Sequence, residues 1–480
     1  MMKTMNKLAA LLAAGVTAVC CLPVNAFADQ LQGAENTLYD GSFYYELNDD
    51  KTYTITRCSA IVVTEVPSIR NGTAITRIGE GAFADCTGIS TLTIPDSVTV
   101  IEKNAFYCCP ALKSVTLPRK LKSLGDHAFF SCNSLESIEI PDTLTKIEPY
   151  TFALCDNLSE IKLGEKVSEL SEYAFYRCSK VSEVKLPASL ETIGDNAMGS
   201  WFSIKDIDTS ANNSFVFEDS MLMDKSKKKI YRASTEISDE ITIPQGADTI
   251  CSGAFSACAK LTGVHIPSSV QTIGDEAFSY CSELKNVDFS EGLRTIGFGA
   301  FMFDQNILSL SIPTTVELID EKAFSYCMKL NKLILPEGVK TIGTDAFIVC
   351  DKLRQVSIPK SVTSIGDDAF GYTVENSQRQ RLDGFGLSVF SGSAGEKYAK
   401  SEKVKYTVTD VNIKRIAFIA AMIGFIAAAL VFAAVLMNRS RKTASSGARK
   451  AAKKAKELAE EKNYKKIMDD EKDKSDEEDK

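Results

Sequence analysis

The stretch Ile273-Gly274-Asp275-Glu276-Ala277-Phe278-Ser279-Tyr280-Cys281-Ser282-Glu283-Leu284-Lys285-Asn286-Val287-Asp288-Phe289 holds two hydrophobic periods in one short run. Phe278, Cys281 and Leu284 fall three apart, which suits a helical or 3₁₀ turn, whereas Val287 and Phe289 alternate at period two, as one face of a strand does. The same register recurs on either side. Phe83, Phe106, Phe129, Phe152 and Phe175 stand 23 residues apart, Met198 takes the next place, and Phe255, Phe278, Phe301, Phe324, Phe347 and Phe370 resume the series. Cys comes three residues after the phenylalanine, Leu or a similar residue six after, and strand residues nine and eleven after, as in Val115 and Leu117; Pro118, Pro141 and Pro267 end their strands. One such coil cannot bury its own Phe, Ile and Leu, but coils stacked about 4.8 Å apart share a continuous core. The pattern predicts an α/β solenoid with a parallel β-sheet on one face and short helical or 3₁₀ turns, about 60 Å long for a dozen coils.

Phe255 follows Met198 by 57 residues, two periods and a remainder of 11, so an insertion interrupts the stack. Ile241-Thr242-Ile243-Pro244 keeps the strand offset before Phe255. Within the insertion, Ser214-Phe215-Val216-Phe217 through Lys229-Ile230-Tyr231 alternates around Asp224-Lys225-Ser226-Lys227 and reads as a β-hairpin. Leu-x-x-Val-x-Leu-Pro strands joined to Ile-Gly-x-x-Ala-Phe-x-x-Cys turns resemble those of BspA-like leucine-rich-repeat cell-surface proteins of bacteria, over residues 75 to 370. The resemblance implies leucine-rich repeats in a parallel β solenoid and a surface role in adhesion to, or binding of, a macromolecule. Partners differ among such proteins, so it names none.

The remaining segments follow from hydropathy and charge. Residues 1–28 read as a signal peptide, with Lys3 and Lys7, an apolar run from Leu8 to Leu22, and Ala26-Phe27-Ala28 before the cleavage point. A lipid-modified start at Cys20 or Cys21 fits less well, because Val19 stands where a small residue is required. Residues 29–77 form an N-terminal cap, 78–209 the first block of repeats, 210–240 the insertion, 241–370 the second block, and 371–413 a C-terminal cap and stalk, with a polar loop at 371 to 384. One transmembrane helix is expected at 414–437, since Ile416 to Met437 is 22 residues without a charge. The tail, 438–480, opens with eight Lys or Arg before Glu457, which places it in the cytoplasm and the repeats outside. The expected location is therefore the cell membrane, single-pass, with an extracellular repeat domain. From Asp29 to Arg415 the net charge is −13 and from Asn438 to Lys480 it is +3. So acidic an ectodomain argues against nucleic acid and leaves an extracellular protein or glycan as the partner.

Cys86, Cys109, Cys132, Cys155, Cys178, Cys258, Cys281, Cys327 and Cys350 share one place in successive coils and read as a ladder of small buried residues. Parallel side chains at strand spacing fit a disulfide poorly, so Cys58, Cys108 and Cys251, off the ladder, are the better candidates for one. Neither His127 nor His265 belongs to a zinc pattern, no Cys-x-x-Cys occurs, and Gly297-Phe298-Gly299 falls in the repeat register. No catalytic group, cofactor or metal site is nominated. Binding residues are sought eight and ten positions after each phenylalanine, on the outward face of the strand. There Glu139, Glu160, Lys162, Glu183, Lys185, Asp206 and Asp208 make the most ordered charge pattern, giving way to Ser309, Ser311, Gln355 and Ser357 further along.

Overall fold

A computed structural model describes residues 38–410 and 449–463, with Met422, Leu430 and Gly447 between them. The chain forms two units, Met1–Thr409 and Asp410–Lys480. The signal peptide expected at 1–28 and most of the apolar run at 414–437 lie outside the described residues, among which no helix is long and apolar enough to cross a membrane. Residues 449–463 are helical and exposed.

In the first unit every coil contributes two strands, so the expectation of one sheet is corrected to two. Three-residue strands build the first ladder: Thr91–Thr93, Ser114–Thr116, Ser137–Glu139 and Glu160–Lys162 pair in parallel, then Glu183–Lys185 with Asp206–Asp208. Two-residue strands build the second, which in the second block runs unbroken from Thr249–Ile250 to Ser364–Ile365. The Thr-Ile pair just ahead of the Gly-x-x-Ala-Phe turn is β-branched, and its Ile points inward while its neighbour does not.

The turn around the phenylalanine is also not helical; between residues 38 and 393 no helical or 3₁₀ segment occurs. Two left-handed residues per coil prevent it, one two places before the phenylalanine and one two places after, as at Asn104 (φ 58°) and Cys108 (φ 53°) around Phe106. Hydrogen bonds accordingly alternate between the turn and the next coil: Tyr107 N–H donates to Asn104 at 2.9 Å, Phe106 N–H to Ala128 at 2.7 Å. Gly81, Gly253 and Gly299 fill the earlier of these positions, where the missing Cβ removes the strain.

Phenylalanines pile into two inner stacks. Ring centroids from Phe106 to Phe175 are 4.8 to 5.4 Å apart, and from Phe255 to Phe370 4.9 to 5.3 Å apart, with planes within 11°. In seven coils the ladder thiol beside the ring donates to the carbonyl of the preceding coil's phenylalanine, as Cys109 does to Phe83 at 3.1 Å and Cys155 to Phe129 at 3.3 Å. One coil trades sizes. Met198 replaces the ring and Trp201 the thiol, and the indole N–H donates to the Phe175 carbonyl at 2.8 Å.

The insertion is a three-stranded antiparallel meander, Phe215–Glu218, Met221–Asp224 and Lys229–Ala233, and its last strand joins the second ladder beside Thr249–Ile250. It is thus a rung of the stack as well as an interruption. Arg232, one period before Phe255, is wholly buried there. It donates to the carbonyls of Trp201 (2.8 Å) and Ser256 (2.9 Å) and to the Ser256 hydroxyl (3.0 Å), pinning one block to the other. Burial lowers its pKa to about 10.

Both ends are closed. The hairpin Phe43–Leu47 and Tyr53–Cys58 covers the first coil. At the far end, the expected loop at 371 to 384 is instead a hairpin, Tyr372–Glu375 with Gln378–Arg381. Strands Gly386–Val389 and Lys405–Val408 extend the first ladder, and helix Ala394–Ser401, N-capped by Ser393, sets the Tyr398 ring edge-on to Phe370.

Candidate binding surface

Because the side chains of a strand alternate between faces, the central residue of each three-residue strand enters the core and its neighbours stand outward. The pattern exposed, buried, exposed recurs in Glu160–Lys162, Glu183–Lys185 and Ser309–Ser311. Parallel pairing without slippage aligns the outward residues into two rows. Ser137 faces Glu160 and Glu183 faces Asp206 in one; Glu139 faces Lys162 and Lys185 faces Asp208 in the other.

The seven candidate residues separate by what they already contact. Lys162 pairs with Glu139 at 2.5 Å, which raises the lysine's pKa. The Asp208 carboxylate accepts the Ser210 N–H at 2.9 Å; its bonds to Ser210 lower its pKa and commit it to the turn that follows. Glu160, Glu183 and Asp206 stand on consecutive strands in the first row, and among the described residues none has a basic partner within 4.0 Å. Like charges one strand apart repel, so this column raises the local negative potential at a cost to stability.

A second feature lies beside the strands and was not singled out from sequence. Lys113, Ser134, Glu136, Asn157, Ser159 and Lys180 line a shallow groove, five and seven positions after successive phenylalanines. Its polar register is the one signal that could have found it. Part of it is structural: Ser134 donates to the Pro110 carbonyl at 2.6 Å and Asn157 to that of Asn133 at 2.7 Å.

The histidines have local partners. His127 is half-buried, stacked 4.7 Å from Tyr150 and bonded to Asp126, and His265 meets Asp288 at 2.7 Å. Among the described residues no three His, Cys, Asp or Glu side chains converge as metal ligands. All twelve described cysteines are unbridged.

Parallel coils with a recurrent Phe-x-x-Cys core and one alternating exposed sheet define a leucine-rich-repeat solenoid. The sequence profile of the BspA type leucine rich repeat region matches residues 59–137, 99–228 and 248–377, and the chain belongs to that family. A leucine rich cell surface protein of Faecalibacterium prausnitzii is similar over 79% of this chain and 100% of its own, at 26% identity and a TM-score of 0.55. The pneumococcal vaccine antigen PcpA shares the fold at 19% identity and a TM-score of 0.56, over 79% of this chain and 100% of its own. Comparison with curated proteins gives no match.

Proposed function

We propose that this is an exported, membrane-anchored binding protein without enzymatic activity, which holds a macromolecular partner against the outward face of its three-residue strands. The carrying observation is the column Glu160, Glu183 and Asp206: three exposed carboxylates in adjacent rungs, none with a basic partner within 4.0 Å among the described residues. A basic patch on an extracellular protein would relieve their mutual repulsion and gain directional ion pairs, whereas a neutral glycan would not. The family and the similar cell-surface protein of F. prausnitzii support a setting outside the cell. The apolar run at 414–437 and the basic start of the tail support anchoring with the repeats external.

Fragment 29–410, which spans the capped first unit, tests the reading by titration against extracellular proteins and glycans. Saturable binding that weakens at least tenfold in Glu160→Lys/Glu183→Lys, and weakens with added salt, is the expected outcome. Absence of any saturable partner, or binding indifferent to the reversal, favours a structural surface protein without a ligand on this face.

A further inference from the structure

Two backbone rules operate together in the regular coils. The N–H of each core phenylalanine donates to the residue just before the next coil's phenylalanine, as Phe83 does to Ala105 and Phe106 to Ala128, both at 2.7 Å. The ladder thiol of that next coil reaches back to the same phenylalanine, as Cys109 does to Phe83 and Cys132 to Phe106 at 3.2 Å. In the N-terminal cap, the residue that donates to Ala82, just before Phe83, is Cys58, at 2.6 Å. Cys58 therefore holds the backbone place of a phenylalanine one coil ahead of Phe83. The missing ring comes from Phe43 on the adjoining strand, 5.9 Å from Phe83. By the second rule the ladder thiol that faces Cys58 is Cys86, and both pack against the core of the first block. Where the regular coils set a thiol against a phenylalanine, the cap sets it against another thiol.

We propose that Cys58 and Cys86 are a disulfide-forming pair that fastens the N-terminal cap to the first coil. Both are partly exposed, whereas the other ladder cysteines are buried, and the Cys58 thiol's bond to the Ala60 carbonyl is long at 3.8 Å against 3.4 Å for Cys178 to Phe152 and 3.3 Å for Cys350 to Phe324. Cys58 also enters 28 residues before Cys86, outside the 23-residue register, so the pair is not held to the parallel side-chain direction that keeps ladder thiols from bonding. The neighbouring Cys86 lowers the pKa of the Cys58 thiol, making Cys58 the attacking sulfur. It displaces one thiol from a low-molecular-weight disulfide; Cys86, losing its proton, then displaces the second. One protein S–S bond forms, two S–H bonds break, and two electrons and two protons end on the oxidant's two thiols.

Formation in the living cell rests on the export proposed above; the capacity to form does not. The folded full chain is treated with oxidised glutathione, alkylated under denaturing conditions and digested with trypsin. The expected product joins peptides 58–70 and 78–103, which contain one cysteine each, and oxidation raises the thermal midpoint in wild type but not in Cys58→Ser. Separate alkylation of both peptides, a link from Cys86 to Cys109, or a midpoint rise that survives in Cys58→Ser overturns the proposal. If the bond forms in vitro while the chain in cells stays reduced, it is export that fails and the pairing that stands.

Discussion

Asp304 sits where a ladder cysteine belongs, three residues after Phe301, and is wholly buried. Its Oδ1 accepts the Cys281 N–H at 2.7 Å, while Oδ2 has no partner. Burial raises its pKa well above the ordinary carboxylate range. A carboxyl raised on folding contributes its full stability below the unfolded value, near 4, and that contribution is lost as pH climbs through the folded pKa. Asp304→Cys restores a thiol that can donate to the Phe278 carbonyl, so it is expected to stabilise the chain by about 1–3 kcal/mol at neutral pH. The gain should shrink as pH falls toward about 4, and urea unfolding at the two pH values checks both size and sign. Burial of the ladder thiols was legible from their register for all but Cys86, which the cap leaves partly exposed, because position in a repeat determines which side chains face inward. Which carbonyl each thiol meets was not, since that partner lies 26 residues back and depends on the stagger of the coils.

Met198 and Trp201 show that the unit of packing is the coil rather than the residue. Trp201→Cys alone empties most of a fully buried indole, at about 3–5 kcal/mol. Met198→Phe alone overfills the same layer, at about 1–3 kcal/mol. The double variant rebuilds the regular rung and is expected to recover more than about 0.5 kcal/mol of the summed loss, measured as the coupling in a urea double-mutant cycle. Periodicity announced the coil and its three-residue strand, whose middle residue is buried between exposed neighbours. It did not announce the second ladder, because two residues are too few to display alternation. The three-residue spacing through Phe278, Cys281 and Leu284 read as helical for a related reason. Consecutive turns broken by left-handed residues, such as Glu276 (φ 54°) and Tyr280 (φ 63°), bring the same side chains inward as a helical turn would. The outward charge rows follow from strand alternation, whereas the capture of Lys162 by Glu139 and of Asp208 by its own turn depends on how neighbouring coils and the following turn fold.

Across the whole first unit, each coil bonds to its two neighbours, so stability is close to a sum over adjacent pairs and fraying begins at the ends. The Tyr398 hydroxyl seals one of them, accepting the Phe370 N–H at 2.9 Å and donating to its carbonyl at 3.1 Å. Tyr398→Phe is expected to speed amide hydrogen exchange in the coil of Phe370 about tenfold while leaving that of Phe106 unchanged, resolved by mass spectrometry. Arg232 acts similarly at the join, where Tyr176 also reaches across to Glu276 at 3.0 Å. The 23-residue register within each block has a further meaning for descent. Duplication or loss of one whole repeat leaves each remaining amide and thiol facing the same kind of neighbour, whereas a fractional change throws the phenylalanines out of line. The length of the solenoid is therefore inherited as a count, altered by unequal recombination in steps of one ring spacing, 4.8 to 5.4 Å, and a lineage can lengthen or shorten it without designing a new fold.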